Sequence, residues 1–171
     1  MGNGKGYLSQ HHKDPSQVSL KYPDEDGLIL YIMVRNDMKS MNPGKAAAQS
    51  SHASNQFVWD LTHPKSPLSP LYGKHPIHVE MLQKLHKNWV ADRRGFGTVL
   101  TLGGTLQQIG ASLSRARNSG NPQILYAWVT DPDYPVVDGN VVHHVSIDTC
   151  AYLFGFLDPV QNMVNEMELL P

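Results

Sequence analysis

The segment Leu28-Ile29-Leu30-Tyr31-Ile32-Met33-Val34 is apolar at every position, with no polar residue at alternate places. A strand with one wet face alternates apolar and polar side chains, so an unbroken run predicts a strand buried on both faces. Such a strand needs helices on both sides of its sheet. The chain has 171 residues, enough for one domain with a sizeable core and one or two extensions.

The remaining sequence supplies those helices. Residues 1–26 are rich in Gly, Ser, His, Lys and Asp and predict a flexible N-terminal arm ahead of a domain spanning 27–171. Asn42 is a good N-cap and Pro43 suits the first helical position, so a helix is expected over Lys45–Trp59. Its Ala46, Ala47, Ala48 and Ala53 favour helix and let it lie close to a sheet. Pro64, Pro67, Pro70 and Pro76 mark a long irregular loop, and Val79, Leu82, Leu85, Trp89 and Val90 recur at helical spacing over His78–Arg93. Together they read as an insertion at about residues 60–95.

A strand at Thr98–Leu102, a helix at Thr105–Arg117 and a strand at Gln123–Thr130 follow. Asp138-Gly139 predicts a turn, with Val141–Ile147 as an added hairpin arm. Cys150–Phe156 reads as the last core strand, and Asp158-Pro159 opens a final helix carrying Val160, Met163, Val164 and Met167. The expected fold is a three-layer α/β/α domain with a mixed sheet of about four core strands.

Lys45, Gln49 and His52 stand at i, i+4 and i+7 and so share one face of the first helix. Lys45 lies in the first turn, where the helix dipole disfavours a cation. A local rule broken at a helix start often marks a site. Free amides and a lysine there make an anion pocket, suited to a phosphate or a developing oxyanion. The helix also follows a buried strand, at the end where open α/β sheets place their ligands.

Composition narrows the function. The net charge of −1 excludes a protein that coats a long duplex with positive charge, and favours a small site over an extended groove. Cys150 is the only cysteine, which rules out an internal disulfide and thiolate-rich zinc sites and suits a reducing cytoplasm. Cys150 itself reads as a buried structural thiol. No window approaches the roughly 18 apolar residues that cross a bilayer, so no membrane span is expected. Met1–Lys13 lacks the apolar core of a secretory signal, and Gly6 stands where a myristoylation signal has Ser or Thr. His143 and His144 are neighbours on one strand and face opposite ways, so no metal is expected there. Gly2-Asn3-Gly4-Lys5-Gly6 follows no strand and fails as a phosphate loop. No cofactor is expected.

The stretch Val34-Arg35-Asn36-Asp37-Met38-Lys39, continued by Pro43-Gly44-Lys45-Ala46-Ala47-Ala48-Gln49-Ser50-Ser51-His52-Ala53, resembles the N-terminal signature of type II peptidyl-tRNA hydrolases. That family has an apolar strand, an Arg-x-Asp-Leu-like turn, and Gly-Lys-x-Ala-Ala-Gln-x-x-His-Ala opening the first helix. Its second functional segment, Asp-Ala-Gly-Arg-Thr, corresponds here to Asp131-Pro132-Asp133-Tyr134-Pro135. Asp131 agrees. Tyr134 replaces the arginine, Pro135 replaces the threonine, and a threonine of the last strand is aligned with Tyr152. The chain is therefore similar to a divergent member, with Asp133 or Tyr152 as candidate substitutes for the missing hydroxyls.

The resemblance implies hydrolysis of the ester joining a peptide to the 3′ end of tRNA, with tRNA or peptidyl-tRNA as partner. It implies Lys45, His52 and Asp131 as catalytic residues, and Arg35, Lys39, Gln49 and Asp133 as substrate contacts. Lys45 would hold a phosphate or the oxyanion, Asp131 would orient water or Lys45, and His52 would transfer a proton. Among Lys84, Lys87, Arg93, Arg94, Arg115 and Arg117, some are expected on acceptor-stem phosphates. Two other readings stand beside this one: a lapsed member that binds tRNA, a nucleotide or a protein without turnover, and a pure interaction module. The sequence leaves open whether a homodimer forms.

Overall fold

The structure, a computed structural model, describes residues 27–92 and 96–170. The expected N-terminal arm, Arg93 and Arg94 lie outside the described residues. The elements run β1 (Leu28–Arg35), α1 (Pro43–Thr62), α2 (Pro76–Asp92), β2 (Val99–Gly104), α3 (Leu106–Ser119), β3 (Leu125–Asp138), β4 (Val141–Phe156), α4 (Leu157–Gln161) and β5 (Glu168–Leu169). They form one mixed five-stranded sheet in the order β3-β4-β1-β2-β5, with β1 and β2 parallel and the other pairs antiparallel.

The apolar run behaves as its composition requires. Leu30, Ile32 and Val34 of β1 face a core with Ala46, Ala53 and Phe57 of α1 and Leu82 and Trp89 of α2. Ile29, Tyr31 and Met33 face a second core with Ile109 and Leu113 of α3 and Val160 and Met163 beyond β4. Burying each large apolar side chain contributes roughly 1.5–3 kcal/mol, so β1 anchors both layers. α1 starts as expected: the Asn42 side chain accepts from the Lys45 backbone N–H at 2.9 Å, and Pro43 occupies the first turn. α3 opens on a capping box in which Thr105 and Gln108 satisfy each other's backbone N–H groups. Gly120, left-handed at φ 59°, ends it.

Two expectations change. The final helix is only Leu157–Gln161, and the chain then turns through bonds from Met163 N to Val160 O, Val164 N to Gln161 O and Met167 N to Val164 O. Two side chains of α3 capture carbonyls there: Arg115 donates to Met163 O at 2.7 Å and Gln108 to Glu166 O at 2.9 Å. Those carbonyls are held from α3, and Leu170 N then pairs with Thr101 O on the outer edge of β2. The buried residues Val160, Met163, Val164 and Met167 have helical spacing, but only Val160 lies in the helix and the other three follow it in turns, which periodicity alone does not distinguish.

The second change concerns the hairpin. The Asp138-Gly139 turn and the hairpin of Val141–Ile147 form as expected, but the arm is continuous with the core: β3 (Leu125–Asp138) and β4 (Val141–Phe156) run from the core to its tip, with register shifts at Val129/Thr130 and Asp131/Tyr134. Such bulges re-aim side chains at sheet edges. They do so here beside the first turn of α1.

Candidate active site

β1 delivers the chain to the N-terminus of α1, and the outer part of the β3–β4 hairpin folds over that same end. Lys45 Nζ donates to Pro135 O at 3.1 Å and lies 4.6 Å from the centre of the Tyr134 ring. A cation held over an aromatic face gains roughly 0.5–2 kcal/mol, depending on how much water is excluded. Tyr134 is buried, and its hydroxyl shares a 3.0 Å hydrogen bond with Ser40 Oγ. Tyr134 thus docks the hairpin on the helix start.

One turn further along α1, Gln49 is buried and joins two strands. Its Nε2 donates to Asp131 Oδ2 at 2.7 Å, and its Oε1 accepts from Thr149 Oγ1 at 2.5 Å. A carboxylate only accepts, so Asp131 fixes the amide with its NH2 outward and its oxygen toward Thr149. The other Asp131 oxygen accepts from the Asp133 backbone N–H at 3.0 Å, across the second bulge. Cys150 Sγ is 3.3 Å from Gln49 O, and burial pushes the thiol up to about 12, so it stays protonated as an inert core group.

His52 is exposed on the same helix face. It lines an open hollow of about 330 Å³ with Asn55, Gln56, Trp59 and the β3 segment Val129–Pro132, Asp131 included. Among the described residues His52 makes no hydrogen bond to Asp131. Gln49, His52 and Asp131 are therefore brought to one rim between α1 and β3, while Lys45, one turn earlier on the same helix face, is docked on Pro135 and Tyr134. Asp133 stands beside them, exposed, with its carboxylate 2.9 Å from His144 Nδ1.

Arg35 and Lys39 lie elsewhere. Arg35 grips both oxygens of Asp37, at 2.9 and 3.1 Å, and donates to Asp148 O at 3.2 Å. Asp37 in turn accepts from the Leu106 N–H at the start of α3, and the Arg35 guanidinium holds its carboxyl below the usual range. Arg35 opens on a different hollow, shared with Met41, Pro43, Ala47 and Leu170. Lys39 is exposed in the loop before α1 and has no ion pair among the described residues.

The alignment of a family hydroxyl with Tyr152 is corrected by the geometry. Tyr152 is fully buried and donates to Asp60 Oδ2, two turns away from the rim. The strand hydroxyl next to Gln49 belongs to Thr149, three residues earlier. The signal was available: Thr149 is the last polar residue before the apolar run of β4, where that strand pairs with the end of β1. Register, which the sequence does not print, decides between the two. Thr130 adds a second hydroxyl near the rim, bonded to Asp148 Oδ1.

Compared with curated proteins, the chain has no significant match. A family model, peptidyl-tRNA hydrolase PTH2, matches residues 28–127. The match covers more than half of the chain and contains β1, α1, α2, β2, α3 and the start of β3; it ends before Asp131. Lys45, Gln49 and His52 fall inside it, at the helix start where the signature residues stand. On that span, and on the mixed α/β sheet that carries it, the chain belongs to the peptidyl-tRNA hydrolase PTH2 family.

Proposed function

We propose that this protein hydrolyses the ester between a peptide and the 3′ end of tRNA, acting in the cytoplasm and without a metal or cofactor. The observation that carries the reading is the Gln49-held Asp131 carboxylate beside an open hollow that His52 also lines, with the Lys45 ammonium one turn earlier on the same face of α1. Ester hydrolysis needs a water aimed at the carbonyl, a positive group for the oxyanion, and a proton for the departing 3′ oxygen.

In this reading the Asp131 carboxylate, fixed by Gln49 and the Asp133 N–H, keeps lone pairs for a water in the hollow. That water attacks the ester carbon and passes a proton toward Asp131. Lys45, moving off Pro135 O, faces the oxyanion that forms. His52 supplies the proton to the 3′ oxygen as the C–O bond breaks, leaving a peptide acid and a free tRNA 3′ hydroxyl. Thr149 holds Gln49 from behind and so positions Asp131 without touching substrate. Asp133, exposed near the rim, is assigned to the RNA or peptide, and Lys39, exposed in the loop before α1, to the RNA. Arg35 is assigned to positioning, since its guanidinium is taken up by Asp37 and Asp148 O.

A second reading, binding of tRNA without turnover, is favoured by one observation. Lys45 is capped by Pro135 O and the Tyr134 ring where the family has a threonine and an arginine. Multiple-turnover release of peptide from peptidyl-tRNA separates the two. Loss of release in both Lys45→Ala and Asp131→Ala supports the hydrolase; tRNA binding by a wild-type protein that releases nothing supports the second reading.

A further inference from the structure

β3 is the outer strand of the sheet, and its free edge is bordered by hollows along consecutive residues. The catalytic hollow takes Val129–Pro132. A second, of about 270 Å³, takes Tyr126, Ala127 and Trp128 together with Pro70 and Arg117. A third, of about 260 Å³, takes Ile124, Leu125 and Tyr126 and is closed by Lys74, His78 and Arg117. Tyr126, Pro70 and Arg117 border both the second and the third, so the two adjoin.

The third hollow is built from two sources. Lys74 and His78 come from the segment between α1 and α2 and from α2 itself, which reach past the edge of β3. Arg117, Asn121 and Pro122 come from the end of α3 and the turn after it. No acidic residue lines the hollow. Neither Lys74 nor Arg117 has an ion pair among the described residues, whereas Arg35 is matched by Asp37 and Arg115 by Glu166. Two unneutralised cations with a histidine ring and the Asn121 amide fit a singly charged phosphodiester, and the Leu71 and Ile124 side chains give it an apolar floor.

Between the two ends lies a surface of the right kind for a nucleic-acid strand. His52, Gln56 and Trp59 continue the Lys45 stripe down α1, over roughly 21 Å at 1.5 Å per residue. Trp59 is half-buried and stacks on His63 with ring centroids 4.9 Å apart, leaving a π-surface at the lower end of the stripe. From Tyr126 to Asp131 the strand spans about 17 Å, on the order of five stacked nucleotides at 3.4 Å each.

We propose that the hollow at Lys74, His78 and Arg117 binds a backbone phosphate of the tRNA whose 3′ end lies at Asp131, so that the RNA follows the open edge of β3. The proposal rests on the hydrolase reading for its substrate, but its test does not need turnover. Uncharged bulk tRNA is titrated against the full chain at a series of KCl concentrations. The double variant Lys74→Ala/Arg117→Ala should bind several-fold more weakly, with a log K against log[KCl] slope shallower by about 0.7–1. Lys84→Ala, on the exposed side of α2 and outside these hollows, should leave the slope unchanged. In turnover, the double variant should raise KM for peptidyl-tRNA at unchanged kcat, and cleave a peptidyl-adenosine ester as the wild type does. An unchanged slope, or an equal change with Lys84→Ala, overturns the proposal. A shallower slope in a protein that cleaves neither substrate sustains this site and overturns the hydrolase reading alone.

Discussion

Helix α1 carries a polar cluster at each end, and both reach across to β4. Near its start, Gln49 joins Asp131 to Thr149. Near its end, Asp60 accepts from Tyr152 and Gln56, and its backbone carbonyl accepts from Ser69. The chemistry is similar: a carboxylate, an amide and a hydroxyl in each. The surroundings differ. Asp60 and Tyr152 are each 0 % exposed, whereas Asp131 is half-buried and one side of it opens on the His52 hollow. A sealed cluster can only hold elements together; an open one keeps acceptor capacity for water. The contrast separates a structural lock from a site on one helix.

The largest effect that would break this contrast lies at the open end. Asp131→Asn keeps the shape and removes the charge, and should lower kcat for peptidyl-tRNA by roughly 10²–10⁴-fold while the melting temperature changes little. The sealed end should respond the other way. Tyr152→Phe leaves Asp60 Oδ2 without its donor and should cost about 1–3 kcal/mol of stability, or a fall of roughly 2–12 °C in Tm, with turnover unchanged below the transition. A Tyr152→Phe protein that folds normally but loses activity would merge the two clusters.

Thr149→Val tests the open cluster at smaller scale. It strips the hydroxyl from Gln49 Oε1 and should cost about 1 kcal/mol of stability and about tenfold in kcat, since Asp131 is then held by an amide free to turn. Thr149→Ser should restore both readouts. Rescue by serine separates a hydrogen-bond role from simple packing.

The smallest effects are in pH. Burial raises the Asp60 carboxyl above its ordinary 3.8, so its contribution is full below that value and lost as pH rises through the raised one. Asp37 is held low, chiefly by Arg35, so its contribution is present above 3.8 and lost as pH falls through the lowered value. Urea denaturation at stepped pH should show that Asp60→Asn removes a decline on the mildly acidic side, and that Asp37→Asn removes a loss at stronger acid. Identical curves for variant and wild type would refute each assignment.

Much of this was legible in the sequence where one local rule decides. The unbroken run of β1, the Asn42 cap and the Lys45-Gln49-His52 stripe depend on periodicity and chain order alone. Partners set by strand register were not legible. Thr149 and Tyr152 both lie in β4 and differ by three places, and only the pairing of Val34 with Cys150 puts Thr149 beside Gln49. Tyr134 read as a lost arginine because its role is to cover Lys45 and meet Ser40, ninety-four residues away. The final turns misled for a related reason: Arg115 and Gln108 take the carbonyls there from another helix. Long-range hydrogen bonds to backbone leave no periodic trace.

The most direct test of the open cluster is single-turnover cleavage of peptidyl-tRNA by wild type, Asp131→Asn and Tyr152→Phe, with enzyme in excess and below each protein's Tm. The expected result is fast cleavage by wild type and Tyr152→Phe, and a rate reduced at least a hundredfold in a folded Asp131→Asn protein. Equal rates for wild type and Asp131→Asn would contradict the account.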